Sequence, residues 1–175
     1  MVLAYPALFS DHFQMSAYIL PRTGILSYLD DEAREQLTTY GKIMHTPPGQ
    51  MVIEDGAQQI CLYLILEGTY RVTKKAGDHE IHLDTLQVGE CFGEVAIFMP
   101  GNATASVTSE GTGQLWYMDV EHLQQFLLDW PHPGCGLILA INTILSRRLK
   151  RANGVIKTNA IVPSFLSVRS RKRNE

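Results

Sequence analysis

Val88-Gly89-Glu90-Cys91-Phe92-Gly93-Glu94-Val95-Ala96-Ile97-Phe98 opens on a turn and places two glycines, Gly89 and Gly93, within five residues. Val88-Gly89-Glu90 has turn composition, because glycine reaches backbone conformations closed to other residues. Such dense punctuation suits a fold of short strands and tight turns rather than one of long helices.

The flanking sequence continues in the same manner. Pro47-Pro48-Gly49 and Glu54-Asp55-Gly56 are turns on either side of a strand at Met51-Val52-Ile53. Cys61-Leu62-Tyr63-Leu64-Ile65-Leu66 is a buried-strand run closed by Glu67-Gly68, and Tyr70-Arg71-Val72-Thr73 continues the pairing up to a turn at Ala76-Gly77-Asp78. Glu80-Ile81-His82-Leu83-Asp84 alternates polar and apolar, as a half-buried strand does. Ala105-Ser106-Val107 and Gln114-Leu115-Trp116-Tyr117-Met118 complete the strands. Short strands separated by turn signals predict an antiparallel sandwich or barrel.

Helices flank this β region. Ile25 to Gly41 reads as one short helix, with Asp30 or Asp31 as N-cap, Glu32 and Glu35 early, and Ala33 and Leu37 four residues apart. Asp119 caps a second helix through Phe126, which Pro131-His132-Pro133-Gly134 interrupts. A longer helix follows from about Cys135 to Ala152 or slightly beyond, with Gly154 expected as its stop. Ile138, Ile141, Leu145, Leu149, Ala152 and Ile156 step by three or four residues along one face. Arg147, Arg148, Lys150 and Arg151 lie mostly off that stripe and suit the negative helix C-terminus. The expected organisation is an N-terminal extension over 1–24, a domain over 25–157 and a basic tail over 158–175. In the extension, Tyr18, Ile19 and Leu20 are expected to act as a strap over apolar surface.

With 175 residues, 45 % of them apolar, the chain can bury a core without disulfides or metals. Cys61, Cys91 and Cys135 are odd in number and show no CxxC spacing, which argues against a disulfide framework or a zinc site and favours a cytoplasmic protein. No apolar run reaches the roughly 18 residues of a membrane span, and no basic residue precedes the apolar N-terminus, so it makes a poor secretory signal. The net charge of −3 conceals a division. Residues 1–146 hold six basic and seventeen acidic side chains, and residues 147–175 hold nine basic and one acidic. This polarity is expected either to provide a contact surface for an acidic partner or for phosphates, or to belong to a solvated tail.

Taken together, helix, short strands and two helices, with Tyr63-Leu64-Ile65-Leu66-Glu67-Gly68 and the string Phe92-Gly93-Glu94-Val95-Ala96-Ile97-Phe98, resemble the cyclic-nucleotide-binding domain of catabolite activators, kinase regulatory subunits and gated channels. The resemblance covers roughly residues 25–156. It implies a mainly β fold with flanking helices: a double-stranded β-helix, or jelly-roll-like β-roll, followed by a long C-terminal helix. It further implies a nucleotide held over a short phosphate-binding helix, with helix N–H groups and a bidentate arginine on the cyclic phosphate. The position of the ribose-binding glutamate is Glu94. The implied ligand-binding residues are Gly93, Glu94, Val95, Ala96, Ala103, Thr104 and Ala105. The helix bearing Ile138, Ile141, Leu145 and Leu149 would form a homodimer contact.

One position departs from the family. The phosphate-binding arginine aligns with Ala103, and no lysine or arginine occurs between Lys75 and Arg147. Losing one charge-assisted hydrogen bond forfeits about 1.5–3 kcal/mol, and Glu94 would then face a phosphate unscreened. Arg71, Lys74 and Lys75 are the cations on a neighbouring strand that can reach in. The chain is thus expected to be a ligand-sensing regulatory module needing no cofactor beyond a cyclic-nucleotide-like ligand, or else a docking protein of the same fold that binds none.

Other chemistries find less support. His79 and His82 lie three apart on a strand, so they face opposite ways and do not converge on a metal. No GxSxG, P-loop or HExxH motif is present, so no enzyme is expected. The 18 residues after Lys157 are too few for a winged helix. A DNA-binding domain is therefore not expected in the chain, and nucleic acid is a less fitting partner than protein.

Overall fold

The computed structural model describes residues 19–77, 79–99 and 101–160, with side chains through residue 153. After a 3-10 turn at Gly24–Tyr28 come α1 (Asp31–Thr39) and the strands β1 (Lys42–Thr46), β2 (Met51–Ile53), β3 (Gln58–Gln59), β4 (Cys61–Glu67), β5 (Tyr70–Ala76), β6 (His79–Leu86) and β7 (Cys91–Phe92). Then follow α2 (Glu94–Phe98), β8 (Gly101–Asn102), β9 (Ser106–Ser109), β10 (Gly113–Asp119), α3 (Val120–Asp129) and α4 (Pro131–Ala160).

Two four-stranded antiparallel sheets, in the orders β1-β10-β4-β7 and β2-β9-β5-β6, form a β-roll, and β3 pairs with β8 at its side. The central strand β4 shows why its sequence is apolar on nearly every residue. Strand side chains alternate between faces. Leu62, Leu64 and Leu66 join the core shared with the helices, while Ile65 joins the interior between the sheets. β10 divides the same way, with Trp116 and Met118 toward the helices and Leu115 inward. A strand covered on both faces has no polar side to show.

The distal hairpin behaves otherwise. β6 has the expected alternation, yet Ile81 and Leu83 are 50 % and 52 % exposed, and β9 pairs with β5 only over Tyr70–Thr73. The pattern identified the strand but not what covers it.

The helical boundaries also differ from expectation. The single helix read over Ile25–Gly41 is a 3-10 turn and a separate α1. Asp30, in extended conformation, takes the Ala33 N–H at 2.8 Å and starts α1 anew. The boundary at residue 24 falls inside the packed domain. Leu20 is wholly buried, its N–H reaches Thr38 Oγ1 at 3.2 Å, and its carbonyl accepts from Arg34 at 2.6 Å. Pro131-His132-Pro133-Gly134 does not interrupt a helix but forms the first turn of α4, leaving Trp130 as the corner. N–H groups of a first helical turn have no intrahelical partner, so proline is tolerated there. α4 also continues through Gly154 to Ala160, so the boundaries at 154 and at 157 both fall within it.

Leu137, Ala140 and Ile141 bury the inner face of α4, with Ile144 and Leu145 packed beside them. The apolar stripe is therefore divided. Ile141 lies in the chain's own core, Ile138 is half-buried, and Leu149 is 63 % exposed. Among the described residues no helix is long and apolar enough to cross a membrane.

Candidate functional site

The site is assembled around α2. β7 pairs with β4 through Tyr63↔Phe92 and Leu64↔Cys91, which fixes the chain just before Gly93. Gly93 then turns it with φ of +79°, and a Cβ there would lie 2.2 Å from the Cys61 carbonyl oxygen. Glycine is required on both counts. The turn delivers Glu94 into the first turn of α2, where it is only 4 % exposed. Ala96 anchors α2 inward, while Val95 and Phe98 remain exposed. Beneath it, Phe92 stacks on Tyr63 at a centroid separation of 4.9 Å, within the interior of the roll.

The segment from Ala103 to Ala105, the other expected part of the site, is tied to the turn at residues 55–57. The Ala103 N–H donates to the Ala57 carbonyl at 2.7 Å, and the Gly56 N–H donates to the Ala103 carbonyl at 2.9 Å. The Ala103 methyl packs on the inter-sheet core. Thr104 is exposed, Ala105 is half-buried, and Ser106 Oγ accepts the Asp55 N–H at 2.9 Å. Of the three cations expected to reach this region, Lys74 does so. Its ammonium donates to the Thr104 carbonyl at 2.7 Å and pairs with Asp55 at 3.1 Å.

The residue missing from the sequence-based site is Arg148. Its guanidinium pairs with the Glu94 carboxylate and donates to the Cys91 carbonyl at 2.6 Å, joining α4 to α2 and β7. The expectation that Glu94 stands unscreened is thereby corrected: its counter-charge comes from 54 positions further along the chain. The spacing held a signal, since Arg148 follows Ile141 by seven residues and Ile144 by four, the periodicity of one helix face. From the sequence alone Arg148 belongs equally to the basic cluster of residues 147–151 that suits the helix end.

Burial is the largest single influence and would lower the Arg148 pKa, but the charge and hydrogen bond of Glu94 together with neighbouring Cys91 and Glu90 outweigh it, and the net shift is upward. Cys91 lies beside the pair. Burial, with the Glu94 charge adding to it, pushes its thiol up to about 12. Cys61 is raised to about 11, by burial and then by the Asp119 charge. Both thiols are protonated at neutral pH and make poor nucleophiles.

A β-roll of this topology, with a short helix set into it and a long helix folded back on that helix, is the architecture of a cyclic nucleotide-binding domain. Residues 43–129 match the family model described as cyclic nucleotide-binding domain, and the chain belongs to that family through this segment. A curated relative, the CRP-like cAMP-activated global transcriptional regulator of Mycobacterium tuberculosis, is 31 % identical over 136 residues, which is 77 % of this chain and 59 % of that protein. The chain thus spans less than two thirds of the length of the curated relatives it matches. Among solved structures, the Thermus thermophilus catabolite activator protein shares the fold with a TM-score of 0.71 at 22 % identity, over 79 % of this chain and 63 % of that one. The N-terminal domain of a transcriptional regulator from Streptomyces coelicolor A3(2) is similar at 25 % identity with a TM-score of 0.63, over 85 % of this chain and 97 % of that one.

Proposed function

We propose that this chain is a non-catalytic, cytoplasmic regulatory module that senses a small ligand, a cyclic nucleotide or a chemical relative, and signals through α4. The ligand would lie between Gly93, Glu94, Val95 and Ala96 on one side and Ala103, Thr104 and Ala105 on the other. The observation that carries this reading is the bond between Glu94 and Arg148, which makes the state of the site and the position of the long helix interdependent. A ligand shifts a helix only through different affinity for its two positions, and a group shared between site and helix supplies that difference. Family membership and the cAMP-activated relative support the ligand class. α4 would pair two copies into a homodimer through the exposed surface around Leu149, and the basic segment after it would meet a protein partner.

Ala103 favours a second reading, in which the fold is kept, no nucleotide binds, and the chain docks in a larger assembly. Calorimetric titration with cyclic AMP, cyclic GMP and a cyclic dinucleotide, on the wild type and on Ala103→Arg, separates the two. Saturable binding by the wild type supports the sensor. A silent wild type with a binding variant means a built but disabled site, and the docking reading then leads.

A further inference from the structure

Of the two groups that hold Arg148 in place, Glu94 is one the proposed ligand would need. Glu94 is nearly inaccessible, and its carboxylate is engaged by a side chain from α4. The same guanidinium spans to the Cys91 carbonyl, two residues before Gly93, so it closes over the start of α2 with both terminal nitrogens. Arg148 itself is mostly covered, with its side chain 26 % exposed. A hydroxyl group seeking Glu94 as acceptor therefore meets a charge-assisted pair, the stronger kind of hydrogen bond. Removing one partner leaves the other charge buried and unpaired.

We infer that Arg148 is an internal competitor for the ligand site: it occupies the Glu94 acceptor and clasps α4 to α2, so ligand entry and release of α4 are one event. This rests on the sensor reading above, and it specifies how that site is regulated. It also gives Ala103 a role. With no arginine at 103, the cation that neutralises Glu94 is carried by the helix that moves, so charge balance in the site depends on helix position.

The test uses the full chain with Arg148→Gln, Glu94→Gln and the double variant. In ligand-free protein, hydrogen exchange is followed over residues 94–98 and 141–153. Each single variant is expected to speed exchange in both segments, and the double variant to add nothing further. Wild-type protection in Arg148→Gln, with both segments unaffected, overturns the clasp. Cyclic AMP, cyclic GMP and a cyclic dinucleotide are then each titrated into wild type and Arg148→Gln, and into both again carrying Ala103→Arg. The competitor predicts at least about tenfold tighter binding in the Arg148→Gln member of a pair, which is about 1.4 kcal/mol. Equal or weaker binding overturns the competition and leaves the sensor reading standing. No binding in any of the four proteins overturns the sensor reading itself, and the competition with it.

Discussion

Gly93 answers to two constraints at once, a left-handed backbone and a carbonyl oxygen where its Cβ would go. Gly93→Ala is therefore expected to cost at least about 1–3 kcal/mol from backbone strain alone. The clash adds to this, because the obstacle is the Cys61 backbone and not a flexible side chain. Urea unfolding should show a lower midpoint with an unchanged slope. An unchanged midpoint would mean that the turn relaxes to accept a side chain. Gly93 and Glu94 were legible through the resemblance because the string that carries it, Phe92 to Phe98, is contiguous. Arg148 was not placed there, because a cation 54 residues away enters the site only through packing. The alanine at 103 was visible as a departure, but its consequence depends on which cation replaces the missing one.

α3 owes its start to Asp119, whose carboxylate accepts the His122 N–H at 2.9 Å and lies 2.7 Å from the His122 ring nitrogen. Burial acts to raise this carboxyl, yet the bonds from His122 outweigh it and hold its pKa below the ordinary 3.8. A carboxylate depressed in the folded state contributes stability that is present above the unfolded pKa and lost as pH falls through the folded one. Asp119→Ala is expected to cost about 1 kcal/mol near pH 7. That difference should shrink as the pH falls below 3.8. Thermal unfolding of both proteins at pH 7 and pH 3 checks it, and a gap that is the same at both would assign the loss to something other than the ionised cap. Among the elements, the strands of the roll were read nearly in place, because alternation and turn glycines are local signals. β1 was missed, since Lys42–Thr46 carries no turn signal of its own between α1 and Pro47-Pro48. The start of α4 was misplaced because Pro131 and Pro133 act as breakers mid-helix but are acceptable in a first turn.

In the whole molecule, the division of the α4 stripe separates two consequences of mutating it. If the proposed homodimer forms along the outer face of α4, Leu149→Glu should bring the sedimentation-equilibrium mass to that of one chain while leaving thermal stability nearly unchanged. Ile141→Glu should instead unfold the domain, since Ile141 is wholly enclosed by its own chain. A wild type that sediments as one chain removes the dimer from the proposal, and a dimer indifferent to Leu149→Glu moves its contact elsewhere. The sequence by itself determined the short strands, their turns and the presence of a long amphipathic helix, each written in spacing, glycine placement and capping within a few residues. The roll and the short helix at Glu94 were expectations carried by the family resemblance of the Phe92-to-Phe98 string. Only the tertiary structure decided that Leu20 belongs to the core, that Ile81 and Leu83 are left uncovered, and that Arg148 closes on Glu94. Those outcomes depend on which surfaces meet, and no periodicity within one element specifies the face of another that will cover it.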